Sequence, residues 1–312
     1  MKNIFLFCTA AFFLFSCSGT KERKVIKKKN DLDMYYLKGK VKSVMQSDYS
    51  ATDSAGQVLK GSLTENKKWV FDKKGNCIEM RIHHFSDSSE SFYICKFDSG
   101  EHLLLDSNNE FMGTIWNKYL YDNKGNRIER DEYYSDSGKN KKGLIEIYIV
   151  DEKGNKIEED SYWGNKDSLN YKAYIKYDEE GQETENENFD YKGNPFVKTI
   201  RVYDKKGNQT EYRLYKRDSL ESKTFFTYDS SGNWLLDSAV KATGKLLRKQ
   251  VRKYDNKDNV TEAAFYKTDG TMESTYNFSH ENFDKQSNWL KEVLMTDGKP
   301  TGIEERTIEY YP

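Results

Sequence analysis

The side chains suited to acid–base, nucleophilic or metal chemistry are few in kind and scattered. The 312 residues include 51 Asp and Glu but only 4 His and 4 Cys. His83 and His84 are adjacent, and in an extended segment they point to opposite faces. They could not easily share a metal, which needs three or four converging ligands; His102 and His280 stand alone. There is no Cys-x-x-Cys pair, no His-Glu-x-x-His, no Gly-x-Ser-x-Gly and no phosphate-binding Gly loop ending in Lys-Ser/Thr. A glycosidase needs two carboxylates, and carboxylates abound here. They recur at equivalent places along the chain instead of converging on one. No catalytic residue, metal or cofactor is expected.

The elements that carry these acids repeat. Phe71-Asp72-Lys73-Lys74-Gly75-Asn76 returns as Tyr121-Asp122-x-x-Gly125-Asn126, Val150-Asp151-x-x-Gly154-Asn155 and Tyr177-Asp178-x-x-Gly181-Gln182. It returns again as Tyr203-Asp204-x-x-Gly207-Asn208 and Tyr228-Asp229-x-x-Gly232-Asn233. Two copies lack the glycine, Tyr254-Asp255-Asn256-Lys257-Asp258-Asn259 and Phe283-Asp284-Lys285-Gln286-Ser287-Asn288, and Phe97-Asp98-Ser99-Gly100 is a shortened one. The period is about 26 residues, a length that marks repeat architectures.

Each copy reads as a turn. Asp is favoured at the first position of a type I turn and Gly at the fourth, and a left-handed Gly after such a turn makes a bulged hairpin loop. The flanks, such as Val197–Tyr203 and Gln209–Tyr215, are rich in β-branched and aromatic residues, as strands are. A second turn signal falls midway, at 216–219, 242–245, 268–271 and 296–299. The expected fold is all-β: tandem antiparallel β-hairpins forming one long, strongly curved meander of about 18 strands, a spiral or incomplete barrel. Pairing Asp204 with Asn208 sets Val202 against Thr210, Arg201 against Glu211 and Ile200 against Tyr212, and the same register sets Arg252 against Glu262. The aromatics before each Asp are expected to stack as a column on one face. Calcium in the acidic turns is disfavoured by the lysines between Asp and Gly.

The N-terminus carries a different signal. Met1-Lys2-Asn3 is followed by an uncharged, mostly apolar stretch from Ile4 to Phe15. That is too short to span a bilayer as a helix and fits the apolar region of a signal peptide. Leu14-Phe15-Ser16-Cys17 resembles a bacterial lipobox, although Phe15 is bulkier than usual. The resemblance implies cleavage before Cys17, lipid on its thiol and new amine, and attachment to a membrane. The domain reading is a signal peptide at 1–16, a basic flexible tether at 17–34 and a repeat domain at 35–312. In lipoproteins Ser18 in place of Asp after the cysteine implies the outer membrane. The basic tether favours its periplasmic face over the cell surface.

Together the repeats, with Glu three residues beyond the Asn (Glu79, Glu129, Glu158, Glu211, Glu262), resemble the YD or Rhs-type repeat of exported lipoproteins of Bacteroidetes. The opening Leu37-Lys38-Gly39-Lys40-Val41 fits the same group. The resemblance covers residues 35–312 and implies the hairpin architecture. In large Rhs proteins such repeats wind into a shell around a toxin, and this chain is much shorter.

Among the remaining cysteines, export permits a disulfide between Cys77 and Cys95. The alternative is two free thiols on neighbouring strands, since bridge geometry is demanding. Trp163, Trp234 and Trp289 lie next to strand ends, where their rings could meet a glycan or peptide, or pack. A net charge of −1 draws no nucleic acid. The leading functional expectation is a non-enzymatic envelope scaffold or binding module with a glycan or protein partner. The alternatives are a shell or immunity component of a toxin system, which needs a large closed cavity, and an envelope glycan or peptide hydrolase, which needs an asymmetric cleft of acids.

Overall fold

The computed structural model describes residues 31–110, 113–136 and 139–312. A four-residue helix, α1 (Asp31–Met34), precedes twenty β-strands. Each strand runs antiparallel to the one before it, from β1 (Val41–Ser54) and β2 (Gln57–Phe71) through to β19 (Trp289–Thr296) and β20 (Lys299–Tyr310). The hairpin meander expected from the repeat is therefore present throughout.

Its ends correct the expectation. β1 also pairs with β20, from Val41↔Tyr310 to Ser50↔Gly302, so the sheet closes into a barrel and is neither a spiral nor an incomplete barrel. Twist accumulates strand by strand, and closure removes the two rows of unpaired backbone groups that an open sheet leaves at its edges. Twenty strands about 4.8 Å apart make a ring about 30 Å across, or wider with strand tilt.

The nine Asp turns all lie at one end of the barrel, joining even-numbered strands to odd-numbered ones. At Asp204 the backbone N–H donates to Asn208 O at 2.9 Å, and Gly207 N donates to Asp204 O at 3.0 Å. The Asp204 carboxylate accepts from the Lys206 and Asn208 backbone N–H groups at 2.8 and 2.9 Å and from Asn208 Nδ2 at 3.0 Å. Gln182 fills the Asn position by the same contact to Asp178, at 2.9 Å. The fourth position takes a positive φ even where glycine is lost, +66° at Asp258 and +64° at Ser287. Ser287→Gly should therefore stabilise the protein by about 0.5–1 kcal/mol. Asp204→Ala should cost about 1–2 kcal/mol, having removed an acceptor shared by three donors. Urea denaturation of the two variants tests both signs.

The bulge at these turns shifts the strand register by one from that expected. Val202 faces Glu211, Arg201 faces Tyr212 and Ile200 faces Arg213, after a break between Val202 and Tyr203. Likewise Arg252 faces Ala263, and Lys253 takes Glu262. The same motif also occurs at the opposite rim, where Asp190 and Asn194 repeat the contacts. Instead of stacking as a column, the repeat tyrosines reach backwards. Tyr121, Tyr177, Tyr203, Tyr228 and Tyr254 donate to the carbonyls of Leu103, Lys156, Glu183, Gln209 and Trp234 at 2.8–2.9 Å. Each acceptor is the first strand residue after the preceding Asp turn. The tyrosine thus staples one repeat to the next.

One face of the closed sheet must turn inward. Following cross-strand partners, Gln46, Asp106, Glu146, Glu159, Ser161, Thr199, Thr224, Asp237 and Glu292 share a face, and all are buried. The segment 31–37 packs on that same face at the Asp-turn end. There Leu32 and Leu37 join Val41, Val44, Phe71 and Cys77 in an apolar cluster, and the Cys77 N–H donates to Asp31 Oδ2 at 2.6 Å. Lys38 and Asn288 exchange two hydrogen bonds, tying this segment to the last Asp turn. This is the inner wall.

Candidate functional site

The inner wall is polar, and water reaches it: side-chain exposure is 25% at Arg130 and 21% at Lys67. One stretch pairs acids with tyrosines. Tyr119 Oη donates to Asp106 Oδ2 at 2.5 Å, and Asn117 Nδ2 donates to the other oxygen at 2.7 Å. Glu146 accepts from Arg130 Nη2 at 2.6 Å and from Tyr148 Oη at 2.5 Å, while Tyr171 and Lys156 both donate to Glu159. Burial raises the phenols of Tyr119, Tyr148 and Tyr171, and the neighbouring carboxylates raise them further. They are hydrogen-bond donors at neutral pH, not bases.

A second inner-wall cluster sits where the barrel closes. Gln46 Nε2 donates to Asp48 Oδ1 and Glu304 Oε2, both at 2.7 Å. Lys67 Nζ meets Asp48 at 2.5 Å and Glu65 at 3.0 Å. His84 Nδ1 lies 2.9 Å from Glu65, and His280 Nε2 lies 2.7 Å from Glu292. Glu304 and Glu292 are direct cross-strand partners. Burial, with Glu292 and Asp48 beside it, pushes the Glu304 carboxyl up to about 7. These acids break the repeat symmetry, and the sequence reading missed them. Each has a donor or cation of its own, so the cluster spends its charge on sealing β1 to β20.

The outer wall is also ionic, at mid-strand. Lys172 bridges Glu158 and Asp160 at 2.5 and 2.8 Å. Glu185 holds Lys176 and Lys198 at 2.8 and 3.3 Å, Arg213 meets Glu211 at 2.8 Å and Lys253 meets Glu262 at 2.9 Å. A barrel immersed in lipid needs an outward apolar band about 25 Å tall, and a Lys or Arg at its middle costs about 2–4 kcal/mol. Among the described residues, these charged pairs interrupt the outer wall at mid-strand, beside exposed apolar residues such as Leu120, Ile149 and Phe225. No described helix is long and apolar enough to cross a membrane.

The expected site residues separate on this frame. Cys17 lies outside the described residues. Cys77 and Cys95 are buried and not bonded to each other. Across the hairpin that carries them, Glu79 faces Ile94. Burial pushes both thiols up to about 12, so neither is a nucleophile at neutral pH. The turn carboxylates are saturated by their own loops, as at Asp72, Asp122 and Asp255. Trp289 is 7% exposed under the Arg306 guanidinium, and Trp234 carries Arg252 over its ring at 4.2 Å. Trp163, by contrast, is 56% exposed.

No family model matches the chain, and no curated protein matches it. Solved structures with a similar trace include a porin-like protein from Bacteroides uniformis, at 10% identity and TM-score 0.37, covering 86% of this chain and 98% of that one. A porin-like protein from Bacteroides vulgatus follows at 10% identity and TM-score 0.28, covering 87% and 98%. A Photorhabdus luminescens Tc holotoxin pore is similar at 11% identity and TM-score 0.20, covering 78% of this chain but 20% of that one.

Proposed function

We propose that this protein is a lipid-anchored, non-enzymatic binding module of the bacterial envelope. In this reading it is a YD-type repeat lipoprotein, held at the outer membrane through Cys17 with its barrel in the periplasm. The observation that carries it is the pair of ionic walls: a closed barrel with charge outside and inside is built to stand in water on both surfaces. The five tyrosine staples and the self-satisfied Asp turns support the repeat assignment, since they give the Tyr-Asp-x-x-Gly-Asn pattern a structural duty. The chain enters the barrel at the Asp-turn rim, so a tether from Cys17 presents the opposite rim away from the membrane.

Expression with labelled palmitate tests the anchor. Wild-type protein should incorporate label and fractionate with the outer membrane. Cys17→Ala should lose the label and appear in the periplasmic fraction, soluble without detergent. A Cys17→Ala protein that still needs detergent would sink the reading, because the barrel itself would then be lipid-embedded. A screen of the purified protein against envelope glycans and proteins tests the binding role.

A further inference from the structure

The outer wall changes character beside the Asp turns. On four consecutive strands, β6 (Gly113–Tyr121), β7 (Arg127–Asp136), β8 (Lys139–Val150) and β9 (Lys156–Trp163), an aliphatic sector lies directly below them. Leu120 is 52% exposed, Ile149 50% and Ile157 37%. The adjacent Tyr119 and Tyr148 point to the inner-wall acids, so Leu120 and Ile149 point outward. Both stand two residues before a turn Asp, and Ile128 and Ile157 are the extra residues of the bulges that follow. The cross-strand partners of Leu120 and Ile149 are Glu129 and Glu158. Those carboxylates are held by Lys166 and Lys172 and are only 17% and 21% exposed, so the aliphatic side chains stand proud of them.

The sector is bounded on three sides. In the flanking repeats the place of Leu120 and Ile149 is taken by Lys96 and Lys176. Further from the rim come exposed Lys118, then Asp131 with Lys142 at 2.8 Å. Four strands give a width of about 19 Å. The two turns above carry Asp122, Lys124, Asp151, Glu152 and Lys153, close to neutral together, so charge selects no occupant here. The outside of a barrel is convex and offers no groove to a peptide or glycan chain.

The same rim is where the chain enters. Asp31, the first described residue, accepts from the Cys77 N–H there at 2.6 Å. Fourteen residues separate it from Cys17, a reach of at most about 50 Å. Resting on the lipid-anchor reading, we propose that this aliphatic sector is a lip by which the barrel leans on the bilayer that holds Cys17. Its side chains enter the boundary between head groups and acyl chains, about 5–10 Å deep. The ionic pairs below keep the wall from sinking further, since charge in hydrocarbon is costly. The lip fixes how the barrel stands and turns the opposite rim away from lipid.

The test uses the full chain, lipidated and placed in phosphatidylcholine vesicles. Leu120→Cys, Ile149→Cys and Phe196→Cys proteins each take one environment-sensitive fluorophore; Cys77 and Cys95 are buried and stay unlabelled. Phe196 is exposed beside the opposite rim. Labels at 120 and 149 should shift to the blue and be quenched by lipid spin-labelled just below the head group, while the label at 196 should do neither. Added salt should leave the signals unchanged, because screening acts on charge. Ile149→Ser with Ile157→Ser should weaken the shift at 120 without moving the thermal midpoint. Labels at 120 and 149 that stay in water, on protein that has incorporated palmitate, overturn the proposal and leave the anchor standing. Protein that incorporates no palmitate overturns both. Quenching at 196 as well means an embedded barrel and also overturns both. A blue shift that follows protein concentration in lipid-free Cys17→Ala protein means that a second copy covers the sector, and overturns the proposal alone.

Discussion

An Arg306→Ala protein should be less stable than its parent by about 3–5 kcal/mol, the range for removing one member of a buried ionic group. Arg306 stands at the seam between the last strand and the first. Its Nε donates to Gln46 Oε1 at 2.6 Å, and its guanidinium lies 3.4 Å from the centre of the Trp289 ring. Burial pulls its pKa down to about 10, still charged at neutral pH. Without it, Lys67 is left as the cation beside Asp48, and Glu292 keeps its contact with the His280 ring. Arg306→Lys keeps the charge but not the flat stacking group, and should fall between. Urea denaturation at pH 7.5 measures the series, and a loss under about 1 kcal/mol for alanine would mean that charge does not hold the seam.

The same seam sets a pH dependence. The Glu304 carboxyl titrates near 7 in the folded protein against an ordinary value of 4.5. The folded state therefore keeps a proton that the unfolded chain has already released, and stability falls as pH rises from about 4.5 to about 7. Below that window there is no penalty; above it the penalty is complete. Glu304→Gln should flatten the slope while leaving an oxygen for the Gln46 amide. The Arg306→Ala deficit should widen with pH, since it removes a cation that favours the ionised form. Thermal midpoints between pH 4.5 and 8 would show both trends.

Strands and turns were legible in the sequence because their chemistry is local. Asp204, Gly207 and Asn208 bond within five residues, so the pattern declares itself wherever it stands. What escaped reading lies one bond further out. The bulge adds a residue on one strand only, which moves Arg201 from Glu211 to Tyr212 without altering composition. The hydroxyl of Tyr203 reaches a carbonyl 20 residues back, and nothing in the repeat distinguishes a stacking ring from a stapling one. Inner and outer walls were not separable by alternation, because Glu146 and Arg130 face in while Lys172 and Glu158 face out. Closure depends on Gln46, Glu304 and Arg306, about 260 positions apart and outside the repeat.

Removing residues 299–312 separates a closed barrel from an open array more sharply than any point change. The deletion takes away β20 with Glu304, Arg306 and Ile308, and it uncovers β19 and the length of β1 from Val41 to Ser50. Val44, 1% exposed in the whole chain, would lose Ile308 as its partner across the seam. Two long edges with free N–H and C=O groups are a template for pairing between molecules, so the truncated protein should form dimers or larger assemblies at micromolar concentration. In an open repeat array a terminal strand contributes only its own nearest-neighbour contacts, and its loss would leave a slightly less stable monomer. Sedimentation velocity distinguishes these outcomes. A synthetic peptide of residues 299–312 supplies the converse, since a closed barrel missing one stave should take the peptide up and return to the monomer, whereas an array with two natural ends has no gap of that shape to fill.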